Sequence, residues 1–174
     1  MNSSIVIRNG FRFISLVLVQ VLIFKGFDAD SNGFTYLSIF IYPIFILLLP
    51  IRTPTVLVVL LGFILGCVVD IFYDSPGVHA GASVFTAFIR STVLNFLEPR
   101  GGFEVNASPT KGNYGINFFF PYAATLMFIH LLVYFSLEIF TPVFFDEIFL
   151  RTIFSFFVSM FFVILYQYLF NPKV

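Results

Sequence analysis

Two carboxylates, a tight turn and a histidine stand together near the middle of this chain. Asp70 and Asp74 are four residues apart, followed by Ser75-Pro76-Gly77 and then His79. Asp-x-x-x-Asp could suggest the magnesium site of a phosphotransferase. Such a site needs several carboxylates to hold the cation against a diphosphate, and no further acidic motif follows. A metal is therefore not expected. A second line is His130, Tyr134 and Glu138. Positions i, i+4 and i+8 share one helix face, and a His–Glu line could relay protons. No second acidic line continues it, so a packed, hydrogen-bonded stripe is the favoured reading. There is no nucleophile–base pair, phosphate loop or zinc spacing. The chemistry expected is non-covalent recognition, with no cofactor and no catalysis.

The surroundings explain why those polar residues stand out. Of 174 residues, 59% are hydrophobic and 10% charged, with a mean hydropathy of +1.01. A soluble domain carries roughly 25% charged residues, so the composition indicates a polytopic membrane protein. One integral membrane domain over 1–174 is expected. The 28 phenylalanines are read as lipid-facing filler. Zero formal net charge argues against nucleic acid. The lone Cys67 excludes an intrachain disulfide. Arg8 and Arg12 before an apolar run resemble a signal peptide. Lys25, Asp28 and Asp30 follow in place of a small-residue cleavage site, which points to an uncleaved first span.

Six apolar segments can be drawn: 11–27, 34–49, 55–73, 78–97, 116–140 and 148–170. The second is bent at Pro43 and closed by Pro50. In lipid every backbone group needs a partner, so such runs are helices or barrel strands, and continuous apolar runs favour helices. The expected fold is all-α, a bundle of six transmembrane helices; the alternative is five spans, with the short second segment the one lost. A span needs about 20 residues, so the first two segments are short.

The third span carries Gly62, Gly66 and Asp70 on one face, where small residues let a neighbouring backbone approach. Asp70 should then point at protein. It either binds a partner or ligand near the outer end, or tethers the turn through backbone amides or His79; the tether is favoured. The fourth span opens with Gly77 and Gly81, and this pair is expected to help close spans three and four together. Ser83, Ala87 and Ser91 continue the span, with Thr86 and Arg90 on the same side. Arg90 lies about 10 Å from the inner end at 1.5 Å per residue, too far from Asp70 for an ion pair. It is expected to snorkel or to bond carbonyls and hydroxyls inside the bundle. A buried anion or lipid-headgroup site is the alternative. Ser155 and Ser159 read as one more close-packing pair.

With the N-terminus inside, Arg8, Arg12, Arg52, Arg100, Lys111 and Lys173 fall on the inner side, against Lys25 and Arg151 outside. Both termini and the 98–115 loop are then cytoplasmic, and the Asp70–His79 turn faces outward. Asn106-Ala107-Ser108 matches a glycosylation acceptor, but Pro109 follows and the loop faces the wrong way.

Gly66, Asp70, Ser75-Pro76-Gly77 and His79-Ala80 at the head of the next span together resemble the rod shape-determining protein MreD family of bacteria. Length, apolar segments and the lack of large loops agree. The resemblance implies a non-catalytic scaffold of the cell-elongation machinery in the bacterial cytoplasmic membrane. It implies an MreC-like bitopic partner, RodA with a class B penicillin-binding protein, and the MreB cytoskeleton indirectly. It also implies the six-helix architecture of the substrate-binding subunits of energy-coupling-factor transporters. That likeness supplies the other reading, a small-molecule or vitamin-binding subunit. Fold alone cannot choose between the two.

Overall fold

Apolar runs in this chain satisfy their backbone mostly as helices, and the places where they do not are informative. A computed structural model describes residues 3–27, 36–104, 107–140 and 145–170, with side chains from residue 7 onward. Asp28, Asp30, Asn106 and Lys173, singled out above, lie outside the described residues. Helix α1 is Ser3–Val19 and runs on through a wider, π-type turn, Gln20–Phe24, and a tighter one, Lys25–Phe27. One turn, α2, covers Ile44–Leu47. Then come α3 (Thr55–Tyr73), α4 (Val78–Phe96), the short α5 (Lys111–Tyr114), α6 (Ile116–Ile139) and α7 (Phe145–Phe170). No strand occurs among the described residues.

Among the described residues four helices are long and apolar enough to cross a membrane: Ile7–Phe27, Thr55–Tyr73, Ile116–Ile139 and Phe145–Phe170. The chain is thus an all-α membrane protein. Helix α4 matches α3 in length at 19 residues but is more polar. His79, Ser83, Thr86 and Arg90 are all buried, and their spacing puts them on one helix face. That face looks into protein, which is where ionisable residues in a membrane belong. Helix α3 packs along α4, α4 on α6 and α6 on α7, while α1 contacts α2 and α3.

The expected bundle of six transmembrane helices is corrected at its second member. Within 34–49, residues 36–43 are irregular and only Ile44–Leu47 is helical. This stretch is the axis of the core. Phe40, Tyr42, Ile46, Leu47 and Leu48 are fully buried. It runs antiparallel to α1, from the level of Gln20 near Ile39 to the level of Arg12 near Leu48. Pro43 removes one donor and its fixed φ ends the extended part. Irregular backbone at membrane depth is tolerated only inside protein, and side chains of the surrounding helices supply its partners. Gln20 accepts from Ile41 N–H (2.8 Å) and donates to Ile39 C=O (2.9 Å). Ser155 and Ser159 accept from the N–H groups of Ser38 and Phe40, each at 2.9 Å. The two serines, expected as a close-packing pair, are completely buried and also hold the backbone of this segment.

Beyond α4 the loop folds back beneath the core. Ile51 N–H bonds Ala107 C=O at 2.9 Å, Ser108 and Thr110 are buried, and Thr110 caps α5 by accepting from Asn113 N–H at 3.2 Å. Arg8, Arg12, Arg90 and Lys111 thus lie toward one end of the molecule, and Asp70, His79 and Arg151 toward the other.

Candidate functional site

The α3–α4 connection is built around one carboxylate. Helix α3 stops at Asp74, which adopts the left-handed conformation (φ 53°) and donates its N–H to Asp70 C=O. Aspartate tolerates that conformation better than most residues. Gly77, at φ 89°, makes the second left-handed turn and starts α4. No Cβ would clash at Gly77, so its backbone torsion is what requires glycine there.

The first N–H groups of a helix have no partner within the helix. Here the preceding helix supplies one. Asp70 Oδ1 accepts from His79 N–H (2.9 Å), His79 Nδ1 (3.0 Å) and the Ser75 hydroxyl (3.2 Å). Oδ2 accepts from Gly77 N–H (3.1 Å) and Ala80 N–H (3.0 Å). Val78 N–H bonds Ser75 C=O, and Gly81 N–H bonds Gly77 C=O. Every amide from Gly77 to Gly81 is thereby paired, with a carboxylate at the positive end of the α4 dipole. Charge-assisted bonds of this kind are worth about 1.5–3 kcal/mol each.

His79 is completely buried. Its ring is boxed by those of Tyr73 and Tyr134 (centroids at 4.8 Å), Tyr42 (5.6 Å) and Phe40 (5.8 Å). Two of these box members come from the unwound segment, so the turn and the segment brace each other. Its Nε2 has no hydrogen-bond partner among the described residues.

Close approach of the two helices depends on α3. A Cβ on Gly66 would stand 2.3 Å from Ala80 Cα and 2.6 Å from Ala80 N, and one on Gly62 would stand 3.1 Å from Ser83 C=O. Gly81 behaves differently. Its Cβ would meet only Leu137 Cδ1 of α6, at 2.7 Å. The Gly77–Gly81 pair therefore does not seat α4 on α3, as its spacing suggested; Gly77 turns the chain and Gly81 faces α6.

On its outer surface the turn borders an open depression of about 500 Å³ lined by Cys67, Asp70, Ile71, Asp74, Pro76 and Gly77. Ile71 is 75% exposed, with Phe72 exposed beside it. Asp74 points outward here, so the Asp70–Asp74 spacing brings one carboxylate into the turn and leaves the other at its surface. Among the described residues no group of three or more histidine, cysteine or acidic side chains is placed to hold a metal.

Arg90 and His130 lie deeper. Arg90 donates through Nε to the Tyr122 hydroxyl at 3.1 Å and through Nη2 to Leu49 C=O and, at 3.5 Å, to Pro50 C=O. Tyr122 donates its own hydroxyl hydrogen bond to Leu47 C=O at 2.8 Å. The guanidinium and phenol thus gather the carbonyls at the end of α2, where the helix dipole favours a cation. His130 sits between Thr86 (Nδ1, 2.9 Å) and Tyr42 (Nε2, 2.7 Å). Thr86 donates to Ala82 C=O at 2.8 Å. Its oxygen therefore accepts from Nδ1–H, and Tyr42 donates to Nε2. Tyr134 donates to Glu138 at 3.3 Å, and Arg151 of α7 pairs with Glu138 (3.6 Å) and Glu147 (2.8 Å). The His130–Tyr134–Glu138 line thus engages three different neighbours.

Gln20, Tyr42, Tyr122 and Arg12 were missed as structural residues. The available signal was a lone glutamine in an apolar run opposite a segment bracketed by Pro43 and Pro50. No family model, curated protein or solved structure matches this chain.

Proposed function

We propose that this protein is a non-catalytic membrane scaffold of the MreD type, acting in the bacterial cell-elongation machinery. In this reading the chain crosses the cytoplasmic membrane six times, with the unwound 36–50 segment as the second crossing in an arrangement like that of energy-coupling-factor substrate-binding subunits. Both termini are cytoplasmic. The observation that carries the reading is the Asp70 turn. Five hydrogen bonds to one carboxylate fix the outward end of α3 and α4, next to an open depression edged by exposed apolar side chains. A bitopic, MreC-like partner brings a single helix into the bilayer. It needs a fixed edge to pack against, and this is one. RodA and a class B penicillin-binding protein join the same assembly, and MreB is reached indirectly.

Affinity purification in mild detergent tests this. An MreC-like protein should come down with the wild-type chain. Recovery of a transporter energising module in its place would support the vitamin-binding reading and sink this one. Asp70→Ala separates the roles of the carboxylate. If the variant is absent from the membrane, Asp70 serves the fold. If it is present at normal level and loses its partner, the turn is the docking edge.

A further inference from the structure

A groove of about 550 Å³ runs between α1 and the end of α7. Its α1 wall is one helix face, with Arg8, Arg12, Ser15 and Val19 at three- and four-residue spacing and Phe11 and Leu16 beside them. Tyr166 and Phe170 of α7 form the opposite wall. Polarity is graded along the groove. Two arginines stand at one end, and the remainder is apolar except for Ser15 and the Tyr166 hydroxyl. Among the described residues no acidic side chain lines it.

From these features we propose that the groove holds an anionic phospholipid of the surrounding bilayer, its phosphate between Arg8 and Arg12 and one acyl chain along Ser15 and Val19. Charge and length both fit. Eleven residues separate Arg8 from Val19, which is about 16 Å of helix. Half of a hydrocarbon core of about 30 Å is about 15 Å, so the groove spans one leaflet with its cationic end at the headgroup level. Arg12 is suited to the task because it is held. It is 5% exposed, and its Nη1 donates to Leu48 C=O (3.1 Å) and Asn9 Oδ1 (3.2 Å). Tyr166 lies beside it. Arg8 is exposed at the mouth, one turn nearer the surface. A guanidinium recognises phosphate through directed donors. The leaflet would be the one at the arginine-bearing end, and the bound lipid would close a gap that protein leaves between α1 and α7.

The test is native mass spectrometry of the detergent-purified protein after exchange into mixed micelles containing phosphatidylglycerol or phosphatidylcholine. The wild-type chain should retain one phosphatidylglycerol at least fivefold over phosphatidylcholine. Arg8→Gln should reduce that preference to near unity, with Arg8→Lys intermediate, and both variants should elute as the wild-type chain does on size exclusion. Val19→Trp should fill the groove and reduce retention of both lipids while leaving the arginines in place. Equal retention of the two lipids by the wild-type chain would overturn the proposal. So would a phosphatidylglycerol preference unchanged in both Arg8→Gln and Val19→Trp.

Discussion

The α3–α4 hairpin and the 36–50 segment both carry backbone through an apolar bundle, and they are held by opposite means. In the hairpin, Gly66 lets the backbone of α3 lie against Ala80, and polar contact is concentrated at one end, in Asp70. In the segment, contact is distributed. Gln20, Ser155 and Ser159 serve its extended half, and Arg12, Arg90 and Tyr122 serve the carbonyls of its final turn. Small residues suit helices, whose backbone is already satisfied. Polar residues suit backbone that is not. Gln20, Ser155, Ser159, Arg12, Arg90 and Tyr122 therefore mark where the chain is not helical.

Substitutions can break this contrast from either side. Gly66→Leu should have the largest effect, because backbone atoms of Ala80 cannot move aside as a side chain can. Overpacking of this kind costs about 3 kcal/mol or more, and the folded fraction on size exclusion in detergent should collapse. Gly81→Ala meets only the flexible Leu137 and should stay close to wild type in the same assay. Gln20→Leu comes next. It removes the side chain that serves Ile39 C=O, Ile41 N–H and the Tyr73 hydroxyl of α3, at about 1–3 kcal/mol for each group left unpaired, and should lower the thermal midpoint. Ser159→Ala strands only Phe40 N–H and should cost about half as much. Glu138→Gln should be smallest. Arg151 keeps Glu147 at 2.8 Å, and a half-exposed pair is worth about 1 kcal/mol or less; a large midpoint shift there would show that the α6–α7 contact depends on it.

The hairpin was legible because each of its devices is local in sequence. Gly62, Gly66 and Asp70 lie on one face, and Ser75-Pro76-Gly77 announces the turn. The carboxylate and the amides it serves are at most ten residues apart. The 36–50 segment was not legible for the opposite reason. Its apolar composition is that of a helix, and its partners lie up to 119 residues away. Ser155 and Ser159 have the spacing of a close-packing pair, and nothing in α7 alone says that they face an irregular segment. Arg90 was half legible. Burial among carbonyls and hydroxyls follows from its depth, but Tyr122 and the end of α2 could only be named once the chain was folded. Pro43 and Pro50 mark a bend and a stop in the sequence, but the helix they would punctuate does not form over 36–43.

The functional reading depends on the outer depression being a docking surface, and the protein carries its own probe for it. Cys67 is the only cysteine, is partly exposed and lines that depression. The direct measurement is the rate of Cys67 modification by a membrane-permeant maleimide in native membranes, with and without the MreC-like partner. The scaffold account predicts that the partner slows labelling several-fold, and that Ile71→Arg restores the rate with the protein still in the membrane. Equal rates with and without a partner that nonetheless co-purifies would contradict it, and would move the contact to another face of the bundle.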